Sequence, residues 1–346
     1  MKGRIVVLDE LDGRQAAALM VNGQLQDLLI DPPDDRPGPG AIFRTVVDRQ
    51  MKGQGGVFVR LPGGRAFLRQ AKGLAPGQSL LVQVTGFAEP GKAPPVTRKL
   101  LFKSRYAIVT PDAPGLNLSR AIRDDDERDR LREVAHDAMD GAADGIGLIL
   151  RSACLGVDES LIAEDIAAVR DLAGRVLADT SGPPELLVDA PGAHRQAWRD
   201  WAEPAPEQVI EAKGAFAAHG VEEAIEALSR PAVLPGGGAL WVEPTRALVA
   251  VDVNTGPDSS PAAGLKANIA AARELPRQLR LRGLGGQIVV DFAPMPVKER
   301  GQLEQVLRAA FRADAVDTNL VGWTNMGNYE LQRKRERLPL NEGVAR

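Results

Sequence analysis

From 247 to 253 the chain alternates with a period of two, so Leu248, Ala250 and Asp252 share one face of a strand, and Asn254 follows on that side just past it. From 264 to 282 the period changes. Leu265, Ile269, Ala272, Leu275 and Leu279 recur at intervals of three and four, which is one apolar stripe of a helix. The run QIVVDF, 287 to 292, returns to strand character, and LWVEP at 240 to 244 supplies the other arm of a hairpin with the first strand. Strand, helix, strand predicts a parallel pair joined by a right-handed crossover, with both strands finishing at one sheet edge, where open α/β sheets bind ligands. Pro276 lies in the middle of that helix, where it removes a hydrogen bond and invites a kink.

The same patterns divide the rest of the chain. Residues 4 to 30 read as a three-stranded meander with Asn22-Gly23 as a hairpin turn. The cluster DPPDDRPGPG, ending at Gly40, marks a module boundary. From 41 to 102, short strands with frequent turns suit a small barrel of the oligonucleotide-binding type. Strands are predicted at YAIVT and IGLILRSA between 104 and 180. One helix, DDERDRLREVAHDAM, lies between them with its acidic start at the N-terminus, and another follows. The stretch 181 to 235 is weakly patterned, with a strand at ELLVD and helical pieces near 194 to 201 and 221 to 228. After Asp291 a helix carries Leu303, Val306, Leu307, Ala310 and Phe311 on its buried side, and a strand follows near LVGWT.

Composition adds bounds. The 346 residues suffice for two or three domains, and 44% hydrophobic with 26% charged residues is ordinary for a globular protein. A formal charge of −3 gives no global basic signature, so a polyanion must be held by local patches. Cys154 is the only cysteine, which leaves no disulfide framework and no cysteine-based zinc site. With no secretory signal and no run of membrane-spanning length, the expected location is the cytoplasm. There is no phosphate-binding Gly-x-x-x-x-Gly-Lys loop and no dinucleotide fingerprint. His136, His194 and His219 lie apart from other catalytic candidates, against a histidine-centred nucleophile.

The candidate chemistry lies at Asp252 and Asp291, which end the two parallel strands. Neighbouring strands would bring them about 5 Å apart, close enough to share one divalent ion. A hard cation such as magnesium suits two carboxylates and the Asn254 amide, with water in the other positions. One aspartate at a strand end commonly serves as a turn or cap residue, and the pattern alone leaves both readings open. On the barrel, Phe58 with Arg60, and Phe67 between Arg65 and Arg69, offer a stacking ring beside a cation, as single-stranded nucleic acid requires; packing beneath a loop is the other reading. Lys92 adds a charge in a loop. Arg151 and Ser152 end an apolar strand, where they suit a phosphate or an ion pair. Arg273, Arg277, Arg280 and Arg282 on the crossover helix, with Arg333, Lys334, Arg335 and Arg337, form a basic surface that a polyanion could follow or that is simply solvated.

The strings ALVAVDVNTG and NIAAARELPRQLRLRGLGGQIVVDF, closed by YELQRKR, resemble the catalytic core of the ribonuclease E/G family. The resemblance runs in order along nearly the whole chain and is densest from about 239 to 340. It implies a mixed α/β, multidomain protein. An S1 (OB-type) RNA-binding barrel at 36–103 would be inserted in an RNase H-like scaffold at 1–35 and 181–230. A 5′-sensor-like region would occupy 104–180 and a DNase I-like catalytic subdomain 231–346.

It further implies that Asp252 and Asp291 bind catalytic Mg2+ with support from Asn254, and that Phe58, Phe67 and Lys92 contact RNA. Arg120 matches the first of two adjacent family arginines, with Ala121 at the second. Arg151 and Ser152 match a 5′-monophosphate pair. The implied activity is endonucleolytic hydrolysis of single-stranded RNA, in rRNA or mRNA processing or decay, leaving 5′-phosphate and 3′-hydroxyl ends. The alternative is an RNA-binding or ribosome-assembly factor with vestigial cleavage.

Three departures qualify the match. Asn325 stands where the family places another phosphate-pocket arginine, which weakens 5′-end sensing. The sequence ends at Arg346 before the family's Cys-Pro-x-Cys link, so no structural zinc is expected and any homodimer forms without it. The stretch 190 to 230 and the S1 region are also shorter than usual.

Overall fold

The computed structural model describes residues 3–51, 55–69, 72–89, 91–143, 145–258, 260 and 262–340, the side chains of 49–51 excepted. They divide into two units: Asp35–Glu207, and a second made from both ends of the chain, Met1–Asp34 with Gln208–Arg346. The boundary near Asp35 falls within the proline- and glycine-rich stretch.

In the first unit, strands Ile42–Met51, Gly56–Leu61, Gly64–Arg69, Pro95–Thr97 and Ser79–Val84 pair in that order and close through Ile42–Met51 with Ser79–Val84, forming a five-stranded barrel. Alternation sends Val57, Val59, Leu61, Ala66, Leu68, Val82 and Val84 inward as its core. Pro95–Thr97 is too short to announce itself in sequence and exists because it closes the barrel between two partners. Beyond the barrel, a second sheet contains Ala107–Thr110 and Gly147–Leu150. It packs with helices Asp125–Ala138 and Glu159–Ala178 around Leu131, Leu148, Ile162 and Ile166. Asp124 caps the first helix by accepting from the Glu127 N–H, as the acidic run predicts. Cys154 is buried, and burial pushes its thiol up to about 12, which makes it an inert packing residue.

The segment 181–230, expected to accompany 1–35 as a whole, is divided. Glu185–Val188 pairs with the barrel strand Ile42–Met51, and its Glu185, with Asp179, holds the buried Arg44 guanidinium. Gln208–Glu211 instead adds in parallel to Arg4–Leu11.

In the second unit Arg4–Leu11, Arg14–Val21 and Gln24–Ile30 form the predicted meander, and Asn22 and Gly23 both take positive φ at its turn. A six-stranded mixed sheet holds, in order, Ala232–Val233, Ala239–Pro244, Val249–Asn254, Gly286–Asp291, Tyr329–Arg333 and Thr318–Trp323. Val249–Asn254 and Gly286–Asp291 are parallel neighbours joined by helix Ala263–Leu281, which runs unbroken through Pro276. That helix and Arg300–Arg312 cover one face of the sheet, around Leu240, Val251, Leu275, Leu279, Val290, Leu303, Leu307 and Leu331. Tyr329–Arg333, read from sequence as part of a basic tail, is a paired strand. The backbone following it lies so close to Gly283 and Gly285 that a Cβ at either would strike the Leu338 or Lys334 carbonyl, which accounts for glycines there.

Candidate active site

The second face of the six-stranded sheet is uncovered by the helices, and Trp241, Asp252 and Asp291 meet on it in one row. Trp241 is the Cα partner of Asp252 across the antiparallel pair, and Asp252 is the Cα partner of Asp291 across the parallel pair. The valines at 249, 251, 253 and 290 point into the core, and alternation leaves both carboxylates exposed. Asn254 Nδ2 donates to Asp252 Oδ2 at 2.7 Å, which holds that carboxylate and leaves the Asn254 carbonyl oxygen as the atom it can offer a cation.

The aspartates are therefore solvent-facing rather than buried. The exposed strand positions of this face carry Glu243, Asp252, Asp291 and Glu330 and neither lysine nor arginine. Two adjacent carboxylates with no ion-pair partner among the described residues favour a bound cation. Two carboxylate groups and an amide oxygen fit a hard divalent ion that keeps several waters. Among the described residues no group of three or more His, Cys, Asp or Glu could hold a metal, so the fit is to such a sparsely ligated ion.

Asn268 is a positioning residue that hydropathy did not reveal. It lies on the crossover helix at 0% exposure, donates to the Ala293 carbonyl at 2.9 Å and accepts from the Ala293 N–H at 2.9 Å. It thereby fixes the backbone two residues beyond Asp291. Asn268→Ala would leave a buried donor and acceptor unpaired, and urea unfolding should show a loss of about 1–3 kcal/mol.

Most of the basic surface expected on the crossover helix is turned into the fold; Arg273 and Lys334 remain exposed. Arg280 bonds Asp314 and the Gln26 carbonyl and lies 3.4 Å from Asp27. Arg282 is buried, bonds the Gln278 side chain and, at 3.0 Å, the Arg230 carbonyl; burial, then Arg277, pushes its guanidinium down to about 10. Arg277 bonds Glu274 and the Leu25 carbonyl. Arg333 is buried against Asp314, 2.6 Å away as an ion pair, and Arg337 reaches Asp27 at 3.0 Å. This helix lies between the meander and the six-stranded sheet, so Arg277, Arg280 and Arg282 join elements instead of facing a polyanion, while Arg273 stays exposed. Arg280 and Arg282 are accordingly removed from the RNA-facing set.

On the barrel, Phe58 and Phe67 are cross-strand partners with centroids 5.5 Å apart in an edge-to-face pair, and the Arg65 guanidinium lies 4.8 Å from the Phe58 centroid. Both rings are half-buried on the outer face, so the two expected stacking residues form one continuous aromatic patch. Lys92 is exposed and paired with Glu89 at 2.7 Å.

Arg120 is exposed with no hydrogen-bond or ion-pair partner among the described residues. Arg151, by contrast, is already engaged: it donates to the Ser104 carbonyl at 2.8 Å, the Arg199 carbonyl at 3.1 Å and Asp200 Oδ1 at 2.9 Å. Burial pushes the Asp200 carboxyl up, but Arg199 and Arg151 outweigh it and hold the group below its ordinary range, ionised at neutral pH. A phosphate at Arg151 must compete with that carboxylate. Ser152 begins the short 3₁₀ turn Ser152–Cys154 beside it. Asn325 is exposed in the turn between Thr318–Trp323 and Tyr329–Arg333. Residues 341–346 lie outside the described residues.

Residues 102–213 and 205–336 match the profile of the Ribonuclease E/G family. Ribonuclease E of a Nostoc species is 30% identical over 97% of this chain and 56% of its own length. Ribonuclease E of a Synechocystis species is 29% identical over 97% of this chain and 57% of its own. Ribonuclease G of Escherichia coli K12 is 28% identical over 92% of this chain and 77% of its own. The chain thus spans little more than half the length of the two ribonuclease E relatives.

Proposed function

Because the chain belongs to the ribonuclease E/G family, we propose that it is a magnesium-dependent endoribonuclease that hydrolyses single-stranded RNA at the row formed by Asp252, Asp291 and Asn254. The observation that carries this reading is the direct registration of Asp252 on Asp291 at an exposed sheet edge, with Asn254 bonded to the first. Asp252 and Asp291 would hold the ion, and Asn254 orients the Asp252 carboxylate. When bound, the ion supplies Lewis acidity towards a phosphate oxygen and a water of lowered pKa. Among the described residues the strand positions of this face offer no guanidinium to offset a phosphodiester, so holding the phosphate at this row depends on the cation. Among the described residues none of the three histidines lies beside the row in sheet register, and the reading requires no side-chain general base. The products would carry 5′-phosphate and 3′-hydroxyl ends.

In the same reading the barrel is an S1-type RNA-binding domain that presents Phe58, Phe67 and Lys92, and Arg120 contributes a free cation. The meander with 208–230 corresponds to an RNase H-like scaffold, and 231–346 to a DNase I-like catalytic subdomain. Phe67→Ala removes one ring of the patch and should weaken binding of a short single-stranded RNA by about 1–3 kcal/mol, measured by fluorescence anisotropy. An unchanged affinity would detach the barrel face from RNA.

The 5′-phosphate pocket is assigned a minor role. Asp200 already engages Arg151 and a phosphate there must compete with it, and Asn325 supplies no charge. Cleavage rates on otherwise identical 5′-monophosphate and 5′-hydroxyl RNAs should agree within about fivefold, the scale of a contact worth up to about 1 kcal/mol. A much larger preference for the monophosphate would restore Arg151 and Ser152 to a sensing role. The experiment for the activity itself is cleavage of single-stranded RNA with and without magnesium. Binding without cleavage would favour the alternative of an RNA-binding or ribosome-assembly factor.

A further inference from the structure

Tryptophan is rare in this chain, at four residues, and three of the four have evident structural employment. Trp201 is buried. Trp323 packs against Phe292 and Tyr329 and under the Arg300 guanidinium. Trp198 lies 4.6 Å beneath the Arg105 guanidinium. Trp241 is 42% exposed, less than the 56% of Trp198, but it differs in that among the described residues its ring meets no other ring or cation and its indole N–H has no hydrogen-bond partner. Its position is also particular, since its Cα partner is Asp252 and the row continues to Asp291.

We infer that Trp241 stacks on the nucleobase of a nucleotide next to the phosphate being cleaved, making it a binding and positioning residue for the reaction. The inference rests on the proposed ribonuclease activity and deepens it.

The chemistry of the face supports this ligand. Its exposed strand positions include four carboxylates and lack arginine and lysine, so the strands offer no positive charge with which to grip a polyanion. A nucleobase is the part of RNA that such a face can hold, because stacking on an indole is independent of phosphate charge. Every base has a π-face, so the contact tolerates any sequence. The alternation of the Ala239–Pro244 strand directs Leu240 and Val242 into the core and Trp241 outward, so the ring stands on a rigid sheet and not on a loop. A base held there would fix its own flanking phosphate along the row towards the two carboxylates, as orientation of a reacting group requires.

The test uses the whole chain, the variants Trp241→Ala and Trp241→Phe, and a single-stranded RNA with one mapped cleavage site. The same RNA is prepared with a single abasic nucleotide at each position around that site. Trp241→Ala should lower kcat/KM on intact RNA by about tenfold, within the range of base–aromatic stacking, and Trp241→Phe should recover most of the loss. At one nucleotide adjoining the cleaved bond, the abasic substitution should slow the parent to a similar degree and slow Trp241→Ala no further. Equal rates for Trp241→Ala and parent, or losses that simply multiply at every abasic position, would overturn the inference and leave the ribonuclease reading intact. A loss accompanied by altered sedimentation of the protein would assign Trp241 to a contact between copies of the chain instead. A parent that does not cut RNA in magnesium would remove the ribonuclease reading and this inference with it.

Discussion

Asp252→Asn should reduce magnesium-supported cleavage of single-stranded RNA by about three orders of magnitude or more, because Lewis-acid stabilisation is worth several kcal/mol and each 1.36 kcal/mol is tenfold in rate. The substitution is nearly isosteric, and the position is exposed. Stability should therefore stay within about 0.5 kcal/mol of the parent, and the loss can be read as chemistry. Asp291→Asn should do the same. The double variant should be scarcely worse than either single one, since both carboxylates serve one ion and residues acting as a unit are not additive. Single-turnover rates measured together with RNA affinity separate this from a binding defect. Parent-like cutting by purified Asp252→Asn would refute the site assignment.

The largest stability effect is expected far from the chemistry, at Asp314. Its side chain is 0% exposed and engages both Arg280 and Arg333. Burial pushes the Arg333 guanidinium below its ordinary value, and Asp314 is the group that offsets this. Asp314→Ala strands the enclosed Arg333 and leaves Arg280 with Asp27 as its one carboxylate partner among the described residues, and should destabilise the second unit by about 3–5 kcal/mol. Replacing an ion pair with matched apolar groups is often neutral, so the expected loss comes from breaking the pair and not from any special strength of it. Chemical denaturation checks this, with circular dichroism following the transition of that unit. A change below about 1 kcal/mol would mean that water reaches these arginines.

The contrast between Asp252 and Arg280 explains what could be read from the residues. The strand, helix, strand unit, the meander with its Asn22-Gly23 turn, and the registration of Asp252 with Asp291 all follow from local periodicity, which survives without knowledge of the partners. The arginines of the crossover helix did not, because a long charged side chain on a helix reads as solvated. Only the presence of a packed element on each side of Ala263–Leu281 reveals that Arg280 and Arg282 are enclosed. Asn268 escaped for the same reason: its burial is set by Ala293, 25 positions away. Pro95–Thr97 is a strand only because the barrel offers it edges, and no period of three residues discloses that; the strand at Glu185–Val188 was legible, but its pairing with the barrel was not. Asp200 lies 49 positions from Arg151, so its competition with a phosphate was invisible until the two were brought together.

The most direct measurement of the central claim is incubation of the parent chain with an end-labelled single-stranded RNA in magnesium and in chelator, with the product ends identified. Internal cutting that requires the metal and leaves 5′-phosphate and 3′-hydroxyl termini is the predicted result. Cutting that persists in chelator with cyclic-phosphate ends, or RNA bound and left whole in magnesium, would contradict it.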